Sequence, residues 1–444
     1  MKRINQYILA IVAVFTLSCE LDEPVDLNNP SFGGVLNDAS IGQLNELVTG
    51  IVARASTGMG NYHDIVGVIG REIYRIDVSD PRWVGDLLGT GNLDNSAFYT
   101  GTNFSTRYNG VKTANTLISA VENTSVLTNA EAQGYLAFAK TFKAHALLFA
   151  LNHQYDNGIR IDVEDPNALG AFTSNAAEGY DAIGDLLDEA AGHAANAGNS
   201  FAFGLTTGFD GFDTPATFET FIKALQARVA LYQEDYASAA TFVDQSFINE
   251  SGSFDVGVYR VFANASGDRV NALFFPNNTN GTTRLVQNDW VTDAEAGDLR
   301  LSKASLRTSP ATVITGQLFA SYDAWNVKDQ VQPMAFIRNE ELILIKAEAL
   351  IQEGSAASLA EAVILIDVIR TQAGGLPAYA GAVTQSALID EMLTQRRYSL
   401  FDEGHRWIDM RRYDRLDQLP LDLTNHSVIR ELPRPFNEVG VQGG

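Results

Sequence analysis

The feature that most constrains the fold of this chain is a pair of helical patterns in its last third. Residues 338–353 carry apolar side chains at helical spacing and end at Gly354, and glycine commonly terminates helices. Residues 359–373 repeat the pattern and are followed by Gly374. Each helix of such a pair has one apolar stripe, which becomes buried only when the pair stacks on a neighbour. The segment therefore predicts a helical hairpin within a larger set of hairpins.

Three earlier segments predict further helices. Thr128 and Glu131 form a capping box, which marks the start of one helix. Residues 176–195 carry apolar residues three and four apart, and residues 213–240 form a hairpin pattern of tetratricopeptide type that opens at Thr214. Because these helices recur at uneven spacing, we predict a mostly α-helical domain with insertions rather than a regular solenoid.

Two long segments lack a helical pattern. Residues 56–108 and residues 251–335 are rich in glycine, asparagine, aspartate and aromatic residues. Long irregular segments on a rigid helical frame often carry binding residues. We therefore expect the ligand-binding residues to lie in these two segments.

The N-terminus has the pattern of an exported lipoprotein. A basic start is followed by an apolar run over residues 7–17, which is too short to span a membrane. We predict that residues 1–18 are a signal peptide and that Cys19, the single cysteine, is acylated and anchors the chain to a membrane. A plain signal peptide is the alternative. Residues 19–40 are predicted to be a flexible acidic tether, and residues 41–444 a single domain.

The composition excludes several classes of partner. With 31 Lys and Arg against 54 Asp and Glu, the formal net charge is −23, which argues against nucleic acid and more weakly against polyanionic ligands. A local basic pocket remains compatible with this balance. One cysteine allows no internal disulfide, and the six histidines do not have the spacing of metal ligands. We therefore predict no metal site.

The C-terminal third resembles a known family. The family's closing motif is matched in order within residues 395–412, after matching segments at 338–349 and 369–374. The matching residues are Arg396, Arg397, Leu400, Glu403, Gly404, Arg406, Asp409, Arg411 and Arg412. Gln395 and Ser399 replace two glutamates of the motif, which puts one or two internal ion pairs in doubt. On these residues the chain resembles the SusD/RagB family.

The resemblance implies both a fold and a function. Such proteins have four tetratricopeptide-like helix hairpins as a scaffold, with long loop-rich insertions that build the binding face. They are cell-surface lipoproteins of the outer membrane, which capture oligosaccharides or polysaccharide and deliver them to a TonB-dependent SusC-like transporter. The resemblance implies a binding protein without a cofactor, not an enzyme. The acidic charge weakly favours a neutral glucan.

Three alternatives remain open at this point. The chain could bind peptides, as some members of the family do, or it could be a helical glycoside hydrolase, because its many carboxylates supply accidental pairs. It could also be a scaffold that only gates a transporter. The C-terminal motif itself is expected to be structural, with its arginines and acids forming a buried ion-pair network beside Trp407.

Aromatic residues in the irregular segments are the candidate sugar platforms. Half of a tryptophan surface stacked on a sugar gains about 2–3 kcal/mol, whereas an exposed hydrogen bond gains about 0.5–1.5 kcal/mol. The predicted ligand-binding residues are Trp83, Trp290, Trp325, Tyr322, Tyr99, Asn288, Asp323 and Asn326, with Tyr62 a further candidate. The alternative for each aromatic residue is that it packs a loop onto the helical frame.

Overall fold

A computed structural model describes residues 32–165 and 167–439. The predicted signal peptide, Cys19 and the first part of the predicted tether lie outside these residues. In the described part of the chain, no helix combines the length and the apolar character that crossing a bilayer requires.

The fold is mostly α-helical, as predicted. The helices of the first part of the chain are α1 (Phe32–Asp38), α2 (Ile41–Ser56), α3 (Met59–Ile69), α4 (Arg82–Gly85), α5 (Gly101–Asn123), α6 (Asn129–Gln154), α7 (Ala176–Ala195), α8 (Pro215–Tyr232) and α9 (Tyr236–Gln245). The later helices are α10 (Asn288–Thr292), α11 (Asn339–Glu353), α12 (Ala356–Val368), which continues as a π-helix (Ile369–Ala373), α13 (Gln385–Ser399), α14 (Arg406–Arg412) and α15 (Phe436–Val439).

Helices that follow one another along the chain pack side by side. Helix α5 packs on α6, α6 on α7, α7 on α8 and α8 on α9, and α11 then packs on both α9 and α12. Such a series buries the apolar stripe of each helix against its neighbours. The tetratricopeptide geometry of the hairpins stays a prediction.

The capping signals mark the helix ends correctly. At the start of α6, the Glu131 carboxylate accepts a hydrogen bond from the Thr128 backbone N–H at 2.8 Å, and the Thr128 hydroxyl accepts one from the Glu131 N–H at 3.3 Å. Thr214 caps α8 in the same reciprocal way with Thr217. Helix α11 ends before Gly354, whose φ of +76° is a conformation that glycine adopts without strain.

Several segments are helical where the sequence predicted an irregular segment or a tether. Helix α3 lies in a segment predicted to be irregular, and ten of its eleven residues are buried, so it has no polar face to produce an amphipathic pattern. Helix α5 begins at Gly101, inside the same predicted segment. Residues 32–38 of the predicted tether form α1, because Val35 packs against the helical core.

Two antiparallel sheets complete the fold. The first contains β1 (Ile73–Ile76), β3 (Thr283–Val286), β5 (Leu318–Ala324) and β4 (Ala304–Ile314) in that spatial order. The second pairs β2 (Gly257–Arg260) with β6 (Met334–Arg338), and Val258 lies opposite Ile337. This small sheet places Arg260 and Phe336 against the helices.

The C-terminal motif forms the predicted ion-pair network. Arg396 pairs with Asp409, and Arg412 pairs with both Asp409 and Glu348. These side chains are buried, and Trp407 beside them is fully buried. The network joins α13 and α14 to α11, and the prediction of a structural role is confirmed.

The two departures from the family motif do not leave a charge unpaired. Arg300 donates from Nη1 to Gln395 Oε1 at 2.8 Å and to Ser399 Oγ at 3.0 Å. Asp298, two residues earlier, balances the charge of Arg300 with an Nη2–Oδ2 distance of 2.7 Å. A local aspartate therefore pairs with this arginine where the family has glutamates.

Candidate functional site

A cavity of about 290 Å³ lies where the small sheet meets the helices. Helices α3, α6 and α8, strands β2 and β6, and the loop that precedes α14 all contribute side chains to it. The residues that line it include Tyr62, His63, Phe149, Asn152, Arg228, Tyr232, Arg260, Lys303, Asn326, Phe336, Arg338, Asp402 and His405. Its volume corresponds to about ten waters, which is room for a single sugar ring.

Helix geometry brings the cavity residues together. Phe149 and Asn152 lie three residues apart on α6, and Arg228 and Tyr232 lie four apart on α8, so each pair lies on one face of its helix. Tyr62 lies on α3, and its ring contacts Phe149 with centroids 4.3 Å apart. The cavity therefore has an aromatic wall supported by rigid helices.

The neutral polar groups of the cavity have unused hydrogen-bonding capacity. Asn152 Nδ2 donates to the Tyr62 hydroxyl at 2.9 Å, while Asn152 Oδ1 is buried and has no partner in the described part of the chain. Burial raises the pKa of Tyr62 to about 12, so its phenol stays protonated. An unpaired buried amide oxygen is costly, and a ligand hydroxyl that donates to it would satisfy it.

Arginines hold most of the carboxylates in the cavity. Arg228 contacts Glu341 through Nε at 2.7 Å and Nη2 at 2.6 Å. Burial opposes ionisation of Glu341, but the Arg228 charge outweighs it and lowers the pKa of Glu341 to about 2. Arg338 likewise pairs with Glu340 and Glu403. Glu340 and Glu341, whose pKa values are lowered by arginines despite burial, are therefore structural, because a general acid needs a pKa near the working pH.

Asp402 differs from these acids. It accepts a hydrogen bond from Asn326 Nδ2 at 3.2 Å, and its backbone N–H donates to Glu72 Oε1 at 3.3 Å. Burial raises the pKa of Asp402 to about 7 and that of Glu72, which Asp402 also repels, to about 8. Ionisation of one of these two carboxyl groups therefore disfavours ionisation of the other.

The structure contradicts the binding prediction for two of the tryptophans. Trp290 is fully buried, its ring centroid lies 4.3 Å from that of Phe401, and its Nε1 donates to a backbone carbonyl. Trp83 is 6% exposed and packs on Phe98 at a centroid distance of 4.4 Å. Both indoles pack loops onto the frame, so no sugar ring can stack on them.

Tyr99 and Asp323 are also core residues rather than ligand contacts. Tyr99 is fully buried and donates from its hydroxyl to Asp86 Oδ2 at 2.8 Å. Asp323 is 2% exposed, pairs with Arg307, and accepts a hydrogen bond from the Asn278 N–H at 2.7 Å. Their hydrogen-bonding capacity is used within the protein.

Of the remaining predicted residues, Asn288, Tyr322, Trp325 and Asn326 are partly exposed, whereas Tyr62 is only 1% exposed. The Trp325 ring contacts Phe274, with centroids 6.2 Å apart, and the neighbours of these two residues in sequence, Asn326 and Leu273, line the cavity. Neither Trp325 nor Phe274 lines the cavity itself, so a sugar that contacts their rings would have to extend beyond it. Asn288, which donates to a backbone carbonyl, and Tyr322 on β5 are not among the residues that line the cavity, and their role in binding stays a prediction.

Sequence reasoning missed Arg260, Asn152, Tyr232 and Phe336. These residues lie within regular helices and strands, where a cavity-lining side chain has the same local pattern as a core side chain. These residues come together only because elements far apart in the sequence pack against one another in the fold. A single sequence carries no signal of that packing.

A second concave region is an open groove of about 820 Å³ along α5. It is lined by residues of α5 such as Phe104, Tyr108 and Asn115, by part of the segment 160–169, and by residues near α15. It contains no tryptophan. In neither the groove nor the rest of the described chain do three or more histidine, cysteine or acidic residues form a cluster that could hold a metal ion.

Comparison with known proteins gives matches in both sequence and fold. Residues 275–434 match the model of the SusD family. No curated protein matches the chain in sequence.

Three solved structures illustrate the similarity of fold. A surface glycan-binding protein A from Bacteroides fluxus has 18% identity and a TM-score of 0.67, with 91% of this chain and 98% of that chain covered. A laminarin-binding SusD-like protein has 18% identity and a TM-score of 0.61, with 91% and 97% covered. A SusD superfamily protein from Bacteroides vulgatus has 15% identity and a TM-score of 0.66, with 90% and 96% covered.

Proposed function

Since this chain belongs to the SusD/RagB family, we propose that it is a cell-surface binding protein for oligosaccharides or polysaccharide. In this proposal it delivers its ligand to a SusC-like TonB-dependent transporter in the outer membrane, to which Cys19 anchors it. Two of the similar structures are those of a glycan-binding and a laminarin-binding protein, which supports a carbohydrate ligand.

The observation that carries the proposal is the partly exposed indole of Trp325, which directly precedes Asn326 of the cavity. A sugar ring has an apolar face and a rim of hydroxyl groups. Trp325 and Phe274 offer ring surface to the face, and Asn326, Asn152 and the Tyr62 hydroxyl offer donors and acceptors to the rim. We expect the indole to supply most of the affinity and the polar groups to select the sugar.

The state of the carboxylates favours binding over hydrolysis. A glycosidase needs two carboxyl groups that are free to act as acid and as base or nucleophile. In this cavity Glu340, Glu341 and Glu403 are held by arginines, which leaves Asp402 as the one buried carboxylate there without an arginine partner within 4 Å in the described chain. Two of the three similar structures described above are those of binding proteins, which also supports binding.

A glycan panel tests the proposal. The chain without its first 19 residues is titrated calorimetrically with neutral and acidic oligosaccharides, and each mixture is assayed for new reducing ends. We expect saturable binding of at least one glycan without product release. Product release would support the hydrolase, and binding of peptides alone would support the peptide-binding alternative.

Two substitutions locate the site. Trp325→Ala is expected to weaken binding at least tenfold, because the stacking surface is lost. Phe319→Ala is the matched control, because Phe319 is an exposed aromatic residue on β5 that does not line the cavity. Equal affinities for both variants and the wild type would place the site elsewhere, and the groove along α5 would be the next region to test.

The anchor and the transporter need separate tests. Cys19→Ser should release the full chain from the membrane fraction into the soluble fraction. Chemical cross-linking in outer membranes, followed by mass spectrometry, should recover a TonB-dependent barrel with the wild type. Recovery of no barrel protein would contradict the delivery step while leaving glycan binding intact.

A further inference from the structure

Arg260 is a buried cation without a carboxylate partner. It lies at the end of β2, is 1% exposed, and lines the cavity. It donates from Nε to the Ala55 carbonyl at 3.1 Å, from Nη1 to the Ala335 carbonyl at 2.8 Å, and it contacts His145 Nε2 through Nη2 at 2.9 Å. Each of these partners is neutral.

No counter-charge reaches Arg260 from the protein. In the described part of the chain, no carboxylate oxygen lies within 4 Å of it, and the charges that act on it most strongly are the repulsive ones of Arg107 and Arg228. The Phe336 ring, 3.9 Å from the guanidinium carbon, offsets part of the cost of burial but carries no net charge. Burial of an unpaired cation destabilises the folded state, and an anion bound beside it would offset this cost in free energy.

The surrounding groups add to the positive potential. Arg107 contacts the Thr57 carbonyl and the Met59 sulfur, which are also neutral. Burial, together with neighbouring arginines, lowers the pKa of His63 and of His145, so both imidazoles are neutral. Among Arg107, Arg228 and Arg260, only Arg228 forms an ion pair in the described part of the chain, and its partner is Glu341.

Of the five acids that line the cavity, three pair with other arginines, and the other two form no ion pair with Arg260. Glu340 and Glu403 pair with Arg338, and Asp402 has a pKa of about 7 because of burial. Asp255 is exposed. None of them is among the charges that act on Arg260. The inner end of the cavity therefore lacks an anion.

We infer that the cavity takes the carboxylate group of an acidic sugar, with Arg260 as the residue that pairs with it. This inference rests on the proposed carbohydrate binding and names the class of sugar: a uronic acid at the end of, or within, an oligosaccharide. A guanidinium has five N–H donors in a planar fork, and three are used here, so two remain for a carboxylate.

The inference replaces the weak expectation of a neutral glucan. That expectation rested on the net charge of the chain, which acts at long range and is screened over about 8 Å at physiological ionic strength. A contact with a buried guanidinium is screened much less. The charge of Arg260, rather than the net charge of the chain, therefore determines whether the bound sugar should be acidic or neutral.

The experiment compares matched acidic and neutral probes. Oligosaccharides of glucuronate, galacturonate and mannuronate are each titrated in calorimetry beside the same oligosaccharide with its carboxyl groups reduced to alcohols. We expect at least one acidic form to bind tenfold or more tightly than its reduced form, at both 0.05 and 0.3 M salt. A tripeptide with a free or an amidated C-terminus forms the peptide arm.

Arg260→Gln should bring the acidic and reduced forms within threefold of each other. Arg82→Gln is the control, because it removes the same charge from an exposed ion pair, and it should keep the preference. If Arg260→Gln does not fold, the inference is tested by the affinities of the wild type for the acidic and the reduced probes. Equal binding of acidic and reduced sugars contradicts the inference while the proposed function stands, and binding of no glycan contradicts both. A preference for the free tripeptide alone also overturns the inference.

Discussion

Arg396 holds the carboxylate of Asp409 with two hydrogen bonds, from Nε to Oδ2 at 2.7 Å and from Nη2 to Oδ1 at 3.1 Å. Both side chains are at most 2% exposed. Arg412 donates to the same Oδ1 from Nε at 3.1 Å. Because Arg396 lies on α13 and Asp409 on α14, this pair fixes the short helix α14 to the long helix before it.

Asp409→Asn should lower the free energy of unfolding by about 3–5 kcal/mol, because it leaves the buried Arg396 guanidinium without its paired carboxylate. Urea denaturation at pH 7 measures this change. Asp80→Asn is the control, because it removes one partner of the exposed Asp80–Arg82 pair and should cost about 0–1 kcal/mol. A loss below about 1 kcal/mol for Asp409→Asn would contradict the structural role of the motif.

The stability of the fold should depend on the charge of Glu72. Burial, and then repulsion by Asp402, raises the pKa of Glu72 to about 8. A carboxyl with a raised pKa binds its proton more tightly in the folded state, so its stabilising contribution is full below pH ~4.5 and is lost as the pH rises through about 8.

Glu72→Gln should therefore be more stable than the wild type at pH 9, by about 2–4 kcal/mol. The difference should shrink steadily as the pH falls from 9 to 4. Chemical denaturation at several pH values measures it. A difference between the two proteins that does not change with pH would show that Glu72 is not protonated in the folded state.

Gly158 closes the loop that follows α6. Its φ is +71°, and a Cβ at this position would overlap the Thr173 carbonyl oxygen. Gly158→Ala should therefore cost more than about 2 kcal/mol, from the positive φ and the displaced loop. Gly192→Ala is the matched control at an exposed position of α7, where nothing lies within 4 Å of the added Cβ, and it should gain about 0.5–1 kcal/mol. Similar melting temperatures for the two variants would contradict this account.

Local signals in the sequence predict the helices that have one buried face and a clear cap. The helix ends at Thr128, Thr214 and Gly354 depend on hydrogen bonds within a few residues, so they can be predicted without knowledge of the tertiary structure. Helix α3 is buried on all sides and begins after Gly58, so neither periodicity nor capping indicates it. Its existence depends on the elements that surround it.

The candidate site could be predicted only in part for the same reason. Trp325 and Trp290 both lie in polar, irregular sequence, yet one is partly exposed and the other is fully buried against Phe401. No local sequence pattern indicates Arg260, because what distinguishes this residue is that the described part of the fold places no carboxylate beside it. Exposure and charge balance are properties of the assembled fold.

Tryptophan fluorescence tests the central claim, that a sugar stacks on Trp325, most directly. The other three tryptophans are buried, so a bound glycan should change the emission of Trp325 selectively. We predict a saturable change in the wild type and in Trp290→Phe, and none in Trp325→Phe. A change that persists in Trp325→Phe, or a panel in which no glycan alters the wild-type emission, would contradict the account.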